Sequence, residues 1–107
     1  PDSPLIPQAS QQLKKLYEWF ATKYFETGYH YLKRKAYDSA IIYFKDVIAN
    51  FPDAKLAPDA LLRLVDSYRA IGYAEELQET CAHLRRFYPQ AAGLAKSCPA
   101  DTTGTPS

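Results

Sequence analysis

At 107 residues the chain has the size of one domain, and 47% hydrophobic residues with 14% aromatics suffice for a small packed core. Thirteen Lys and Arg against twelve Asp and Glu leave a net charge of +1. Apart from Lys33, Arg34 and Lys35 the cations are scattered, so neither a nucleic-acid footprint nor a polybasic membrane patch is expected.

No apolar run approaches the ~20 residues of a membrane-spanning helix, and no basic-then-apolar secretory signal opens the chain. Pro1-Asp2-Ser3-Pro4 starts in what reads as a loop, which suggests a piece of a longer protein whose targeting signal lies upstream. Glycine is scarce, with four in all, and apolar residues recur at spacings of three and four over almost the whole length. The expected fold class is therefore all-α.

A long first helix is predicted over about 8–34. Leu13, Leu16, Tyr17, Phe20, Tyr24, Gly28 and Tyr31 form one continuous stripe, and Phe25, Tyr29 and Leu32 lie on a second face. Such a helix needs neighbours on more than one side. The Lys33–Lys35 run reads as a solvated helix end, where cations complement the C-terminal carbonyls. Asp38, a good N-cap type, is expected to open a second helix over about 38–51, with Ala40, Ile41, Phe44, Val47, Ile48 and Phe51 inward and Pro52 stopping it. Pro58 suits the first turn of a third helix over about 57–71, where Ala60, Leu61, Leu64, Val65, Tyr68 and Ile71 form the apolar face. Gly72 supplies its left-handed end. A fourth helix follows over about 74–87, with Leu77, Cys81, Leu84 and Phe87 inward. A short fifth is expected over about 90–97, and 99–107 has the composition of a flexible tail.

Cys81 and Cys98 are too few and too widely spaced for a zinc site or a CxxC motif. They could pair in an oxidising compartment. The plainer reading is a buried small hydrophobe and an incidental thiol.

Helix pairs joined by short turns invite a test for a repeat, and the 34-residue tetratricopeptide (TPR) pattern fits with its first position at Ala21. Tyr24, Gly28, Tyr31, Tyr37, Ala40, Phe44 and Pro52 then occupy positions 4, 8, 11, 17, 20, 24 and 32. Gly28 and Ala40 would let two helices approach closely, with Tyr31 and Phe44 filling the space beside the contact. A degenerate second copy begins at Pro58. It keeps Leu61, Leu64, Tyr68, Gly72 and Pro89 but carries Val65, Leu77 and Cys81 where glycine, alanine and an aromatic are usual. The closing prolines, Pro52 and Pro89, stand 37 apart, so three residues are added, most simply Ala54-Lys55-Leu56. The fold expected is a right-handed TPR α-α superhelix over 1–98.

The stretch YEWFATKYFETGYHYLKRKAYDSAIIYFKDVIANFPDAKLAPDALLRLVDSYRAIG, residues 17 to 72, together with the PDS opening and the long helix before Gly28, resembles the TPR-containing outer-membrane assembly lipoproteins of Gram-negative bacteria, the BamD (ComL or YfiO) family. The resemblance spans about residues 1 to 90. It implies a periplasmic subunit, tethered to the outer membrane by a lipidated N-terminal cysteine absent from this chain, that helps a β-barrel assembly machine insert proteins. The C-terminal repeats would dock on the POTRA domains of the central barrel protein and on accessory lipoproteins. The chain departs from the family at 54–56 and at Tyr43, placed on the outer face of the second helix, where a basic residue is expected. A related possibility is another periplasmic TPR adaptor, such as a Tol-associated coordinator of cell division, which shares the FPD…ADALLRL join.

No catalytic chemistry is expected. Glu26 with His30, and Glu79 with His83, share helix faces, but a zinc or acid-base centre needs a third converging group. The chain holds no HExxH, GxSxG, phosphate loop or dinucleotide fingerprint. No cofactor or metal is called for. Phe25, Tyr29, Leu62 and Asp66 stand where a carboxylate-clamping TPR groove would carry Lys, Asn and Arg. Apolar contact suits these positions better, and Trp19, Phe25, Tyr29, Leu32 and Tyr43 are the expected partner-binding residues.

Overall fold

The structure, a computed structural model, describes the backbone of residues 6–99 and side chains from Ser10 onward. The PDS opening and, apart from Pro99, the expected tail over 99–107 lie outside the described residues. Among the described residues five helices follow in order: α1 (Ile6–Lys33), α2 (Tyr37–Asn50), α3 (Ala57–Ile71), α4 (Ala74–Phe87) and α5 (Leu94–Ser97). Helices α1 to α4 pack side by side in chain order, with α3 between α2 and α4 and touched by α5. The result is the expected all-α, TPR-like stack, an elongated body of 58 × 31 × 19 Å.

The α1–α2 contact rests on residue size. Gly28 is buried, and a Cβ placed on it would lie 2.9 Å from the Phe44 ring, which is itself fully buried. The two backbones are therefore as close as that ring allows. Opposed chain direction is visible in the aromatic pairs: Tyr24 meets Phe51 at 5.6 Å between ring centroids, and Tyr31 stacks on Tyr43 at 5.7 Å. Phe25 leans on Phe44 at 5.4 Å.

Both helix hairpins close through the same backbone device. Lys35 and Gly72 have φ of 63° and 79°, in the left-handed region. Ala36 and Tyr73 donate their N–H groups to the carbonyls of Tyr31 and Tyr68, at 2.9 Å each, as a Schellman termination requires. Glycine meets that conformation without strain at 72, whereas Lys35 carries a Cβ there. Helix α2 then opens with Ala36 in the capping position and no side-chain cap, so Asp38 lies inside the first turn and does not cap it. The acidic side chain still complements the helix N-terminus.

Helix α3 is the most buried element, contributing Ala60, Leu61, Leu62, Leu64, Val65 and Tyr68 to a core completed by Ala40, Phe44, Val47, Cys81, Leu84 and Cys98. Ser67, also fully buried, satisfies its hydroxyl by donating to the Arg63 carbonyl at 2.8 Å.

Three expectations are corrected. Phe87 points outward, 57% exposed beside His83, and Tyr88 turns toward the core in its place because α4 ends between them. The last helix is four residues long: Pro89 ends the preceding run, and Gly93, at φ 91°, delays the next start. Cys81 and Cys98 form a disulfide, their Cα atoms 5.7 Å apart, so Cys98 is no incidental thiol.

Candidate functional site

Helix α1 has 28 residues against 14 in α2, or about 42 Å against about 21 Å. Tyr17 marks where the overlap ends, its ring 5.2 Å from Phe51. Residues 6–16, about 16 Å of helix, run past the α2–α3 turn. The stripe that packs on α2 therefore continues beyond the end of α2. Leu13 is 66% exposed, Leu16 49%, Trp19 53% and Phe20 41%. Leu13, Leu16 and Phe20 were expected on a buried stripe; α2 is too short to reach Leu13 and Leu16, whereas Phe20, inside the overlap, lies at the edge of the contact.

The enlarged α2–α3 turn holds α1 at the base of this overhang. The Asp53 N–H donates to the Tyr17 hydroxyl at 3.1 Å, and the Lys55 N–H donates to the Glu18 carboxylate at 3.1 and 3.3 Å. Ala54 between them is buried. Beside the clasp lies an open concavity of about 560 Å³ lined by Gln11, Lys14, Lys15, Glu18 and Lys55. Three lysines against one carboxylate, already engaged, give that rim a positive potential.

The five partner-binding candidates fall into two groups. Trp19 and Tyr29 face solvent, at 53% and 40% exposure, each with a lysine over its ring: Lys23 at 5.3 Å and Lys33 at 5.1 Å. Phe25 and Leu32 are partly buried and pack against the core, with Tyr29 stacked on Phe25 at 6.2 Å. Tyr43 is half-buried and leans toward α1 between Tyr24 and Tyr31, so it does not sit on the outer face of α2. Of the five candidates Trp19 and Tyr29 are thus exposed, on different faces of α1, and Leu13, Leu16 and Phe20 are exposed on the same helix.

Neither Glu-His pair builds a site. Glu26 faces Lys23 at 3.8 Å, His30 lies against Tyr31 at 5.5 Å, and His83 lies against Phe87 at 4.8 Å. Among the described residues no three His, Cys, Asp or Glu cluster as metal ligands. No helix among them is long and apolar enough to cross a membrane.

Sequence reasoning missed a polar clasp at the other end of the molecule. Arg69 donates to the Ser97 carbonyl at 2.6 Å, Arg85 donates to the carbonyls of Cys98 and Pro99 at 3.3 and 3.2 Å, and the Ser97 hydroxyl donates to Asp66 at 3.3 Å. Asp66 in turn faces Arg63 at 3.3 Å. No local spacing announces contacts that reach across 13 to 31 residues.

Stacked helix pairs with close-packed Gly28 and a long leading helix define an all-α protein of the TPR-like class. A family model described as YfiO, outer membrane lipoprotein, matches residues 1–84. The chain belongs to that family, as the stretch from 17 to 72, the PDS opening and the long helix before Gly28 led us to expect.

Proposed function

We propose that this chain is a non-catalytic protein-interaction scaffold, the C-terminal TPR part of a periplasmic lipoprotein that serves the assembly of outer-membrane β-barrels. Residues 1–98 act as one repeat domain, and attachment to the membrane is through an N-terminal lipid upstream of Pro1. Its partners are the POTRA domains of the central barrel-assembly protein and accessory lipoproteins. The observation that carries this reading is the N-terminal half of α1, where Leu13, Leu16, Trp19 and Phe20 are exposed on a protein of the outer membrane lipoprotein family. Exposed aromatic side chains on a helix that also carries a lysine-rimmed hollow suit a protein surface with an apolar patch and acidic neighbours.

Immobilised chain should retain the POTRA domains of the same organism, and Trp19→Ala or Tyr29→Ala should each lower retention about tenfold with helicity intact. Phe25→Ala is a poor probe, since that ring supports Phe44. Equal retention by wild type and both variants would remove the strip as the docking face.

A further inference from the structure

The segment after α4 is too short to hold itself in place. Four residues of α5 cannot sustain an isolated helix. Even so, Ser97 and Cys98 are 7% and 3% exposed, and Leu94 and Ala91 pack on the core beside the nearly fully buried Leu62. A Cβ on Gly93 would stand 3.8 Å from the Leu62 side chain. Two arginines grip the carbonyls of residues 97 to 99, and the disulfide ties Cys98 to the middle of α4. The staple's outer cysteine and all of α5 lie past residue 84, where the family match ends.

We infer that residues 88–99 form a disulfide-locked strap that closes the C-terminal end of the helical stack, covering the α3 surface around Leu62. The lock and the strap protect each other. Both cysteines are 3% exposed, so a reductant reaches the sulfurs only when the strap lifts, and the strap stays down because the link holds it. Opening needs a dithiol: one of its thiolates attacks a sulfur of the bond, forming a mixed disulfide and expelling the other cysteine as a thiolate, which takes a proton. The second thiol of the reagent resolves the mixed disulfide. The protein gains two thiols and two electrons, and the reagent is oxidised to its own disulfide.

A closed loop spanning a sequence separation of 17 limits the freedom of the open state enough to shift the opening equilibrium roughly a hundredfold. The test is amide hydrogen exchange on the 107-residue chain before and after reduction with dithiothreitol. Exchange at Leu94, Ser97 and Cys98, whose N–H groups bond to residues 91, 93 and 94, should accelerate about a hundredfold while Phe44 and Val47 stay unchanged. Cys98→Ala should reproduce the reduced pattern without reductant, and Leu94→Ala should speed reduction of the intact bond. Unaltered exchange at 94–98 after reduction would overturn the lock. Equal acceleration at Phe44 and Val47 would overturn it too, making the disulfide a support of the whole fold.

Discussion

Replacing Gly28 with alanine inserts one methyl where α1 and α2 are closest. Its carbon would lie 2.9, 3.0 and 3.1 Å from three atoms of the Phe44 ring. That ring has little room to move, because Phe44 is 0% exposed and also lies against Phe25. Overpacking of this kind costs about 1–3 kcal/mol, whereas alanine's better helix propensity returns about 1 kcal/mol. The net expectation is a loss centred on about 1 kcal/mol, or roughly 4–8 °C in melting temperature for a chain of this size. Urea denaturation followed by far-UV circular dichroism measures it as a lower midpoint at unchanged slope. Phe44→Leu in the same chain should relieve part of the clash, so the double variant should be more stable than the two single losses added together. A Gly28→Ala protein as stable as wild type, or more so, would mean that propensity alone governs the position and that the helices do not meet there.

Other perturbations act on single contacts. Burial first, then the carboxylates of Glu76 and Glu79, hold the Tyr68 hydroxyl above its ordinary value of 10.0. The unfolded chain loses that proton near pH 10 while the folded chain keeps it, so this contribution is intact below pH 10 and is lost as pH rises beyond it. Tyr68→Phe should flatten that alkaline decline in a pH series of denaturation curves. Lys35→Gly relieves a left-handed residue and should raise stability by roughly 0.5–1 kcal/mol, whereas Gly72→Ala should lower it by about 1 kcal/mol, both read from thermal melts. Tyr17→Phe removes the acceptor of the Asp53 N–H and should cost about 0.5–1 kcal/mol, with faster hydrogen exchange at Asp53 as its local mark.

The repeat was legible because its key positions are decided by size and backbone geometry. Gly28 must be small, Ala40 must not intrude, Phe44 must fill, and Pro52 and Gly72 punctuate. Each is visible in a string of letters. The end of α1 was less legible, since Lys35 holds the left-handed position that glycine usually advertises, and the chain's own termination hydrogen bonds stabilise it there. Exposure along α1 could not be read from periodicity at all. Leu13 and Tyr24 lie on one stripe, and only the length of α2 decides that one is open and the other covered. Tyr43 was misplaced for a related reason: its position on α2 suits an outward side chain, but Tyr24 and Tyr31 reach across to claim the ring. The strap was the least visible, because Cys81 occupies a template position usually filled by an aromatic and reads as packing until its partner is found 17 residues on.

The scaffold reading stands or falls on what touches the open face of α1 in the cell. A photoreactive phenylalanine analogue placed at Trp19, and separately at Tyr29, in the full-length lipoprotein would be irradiated in living cells and its adducts identified by mass spectrometry. Both positions should capture POTRA segments of the central barrel-assembly protein, and a control at Ala82, on the exposed side of α4, should not. Adducts confined to the lipoprotein's own helices at both positions would mean that the face is internal packing and that docking occurs elsewhere.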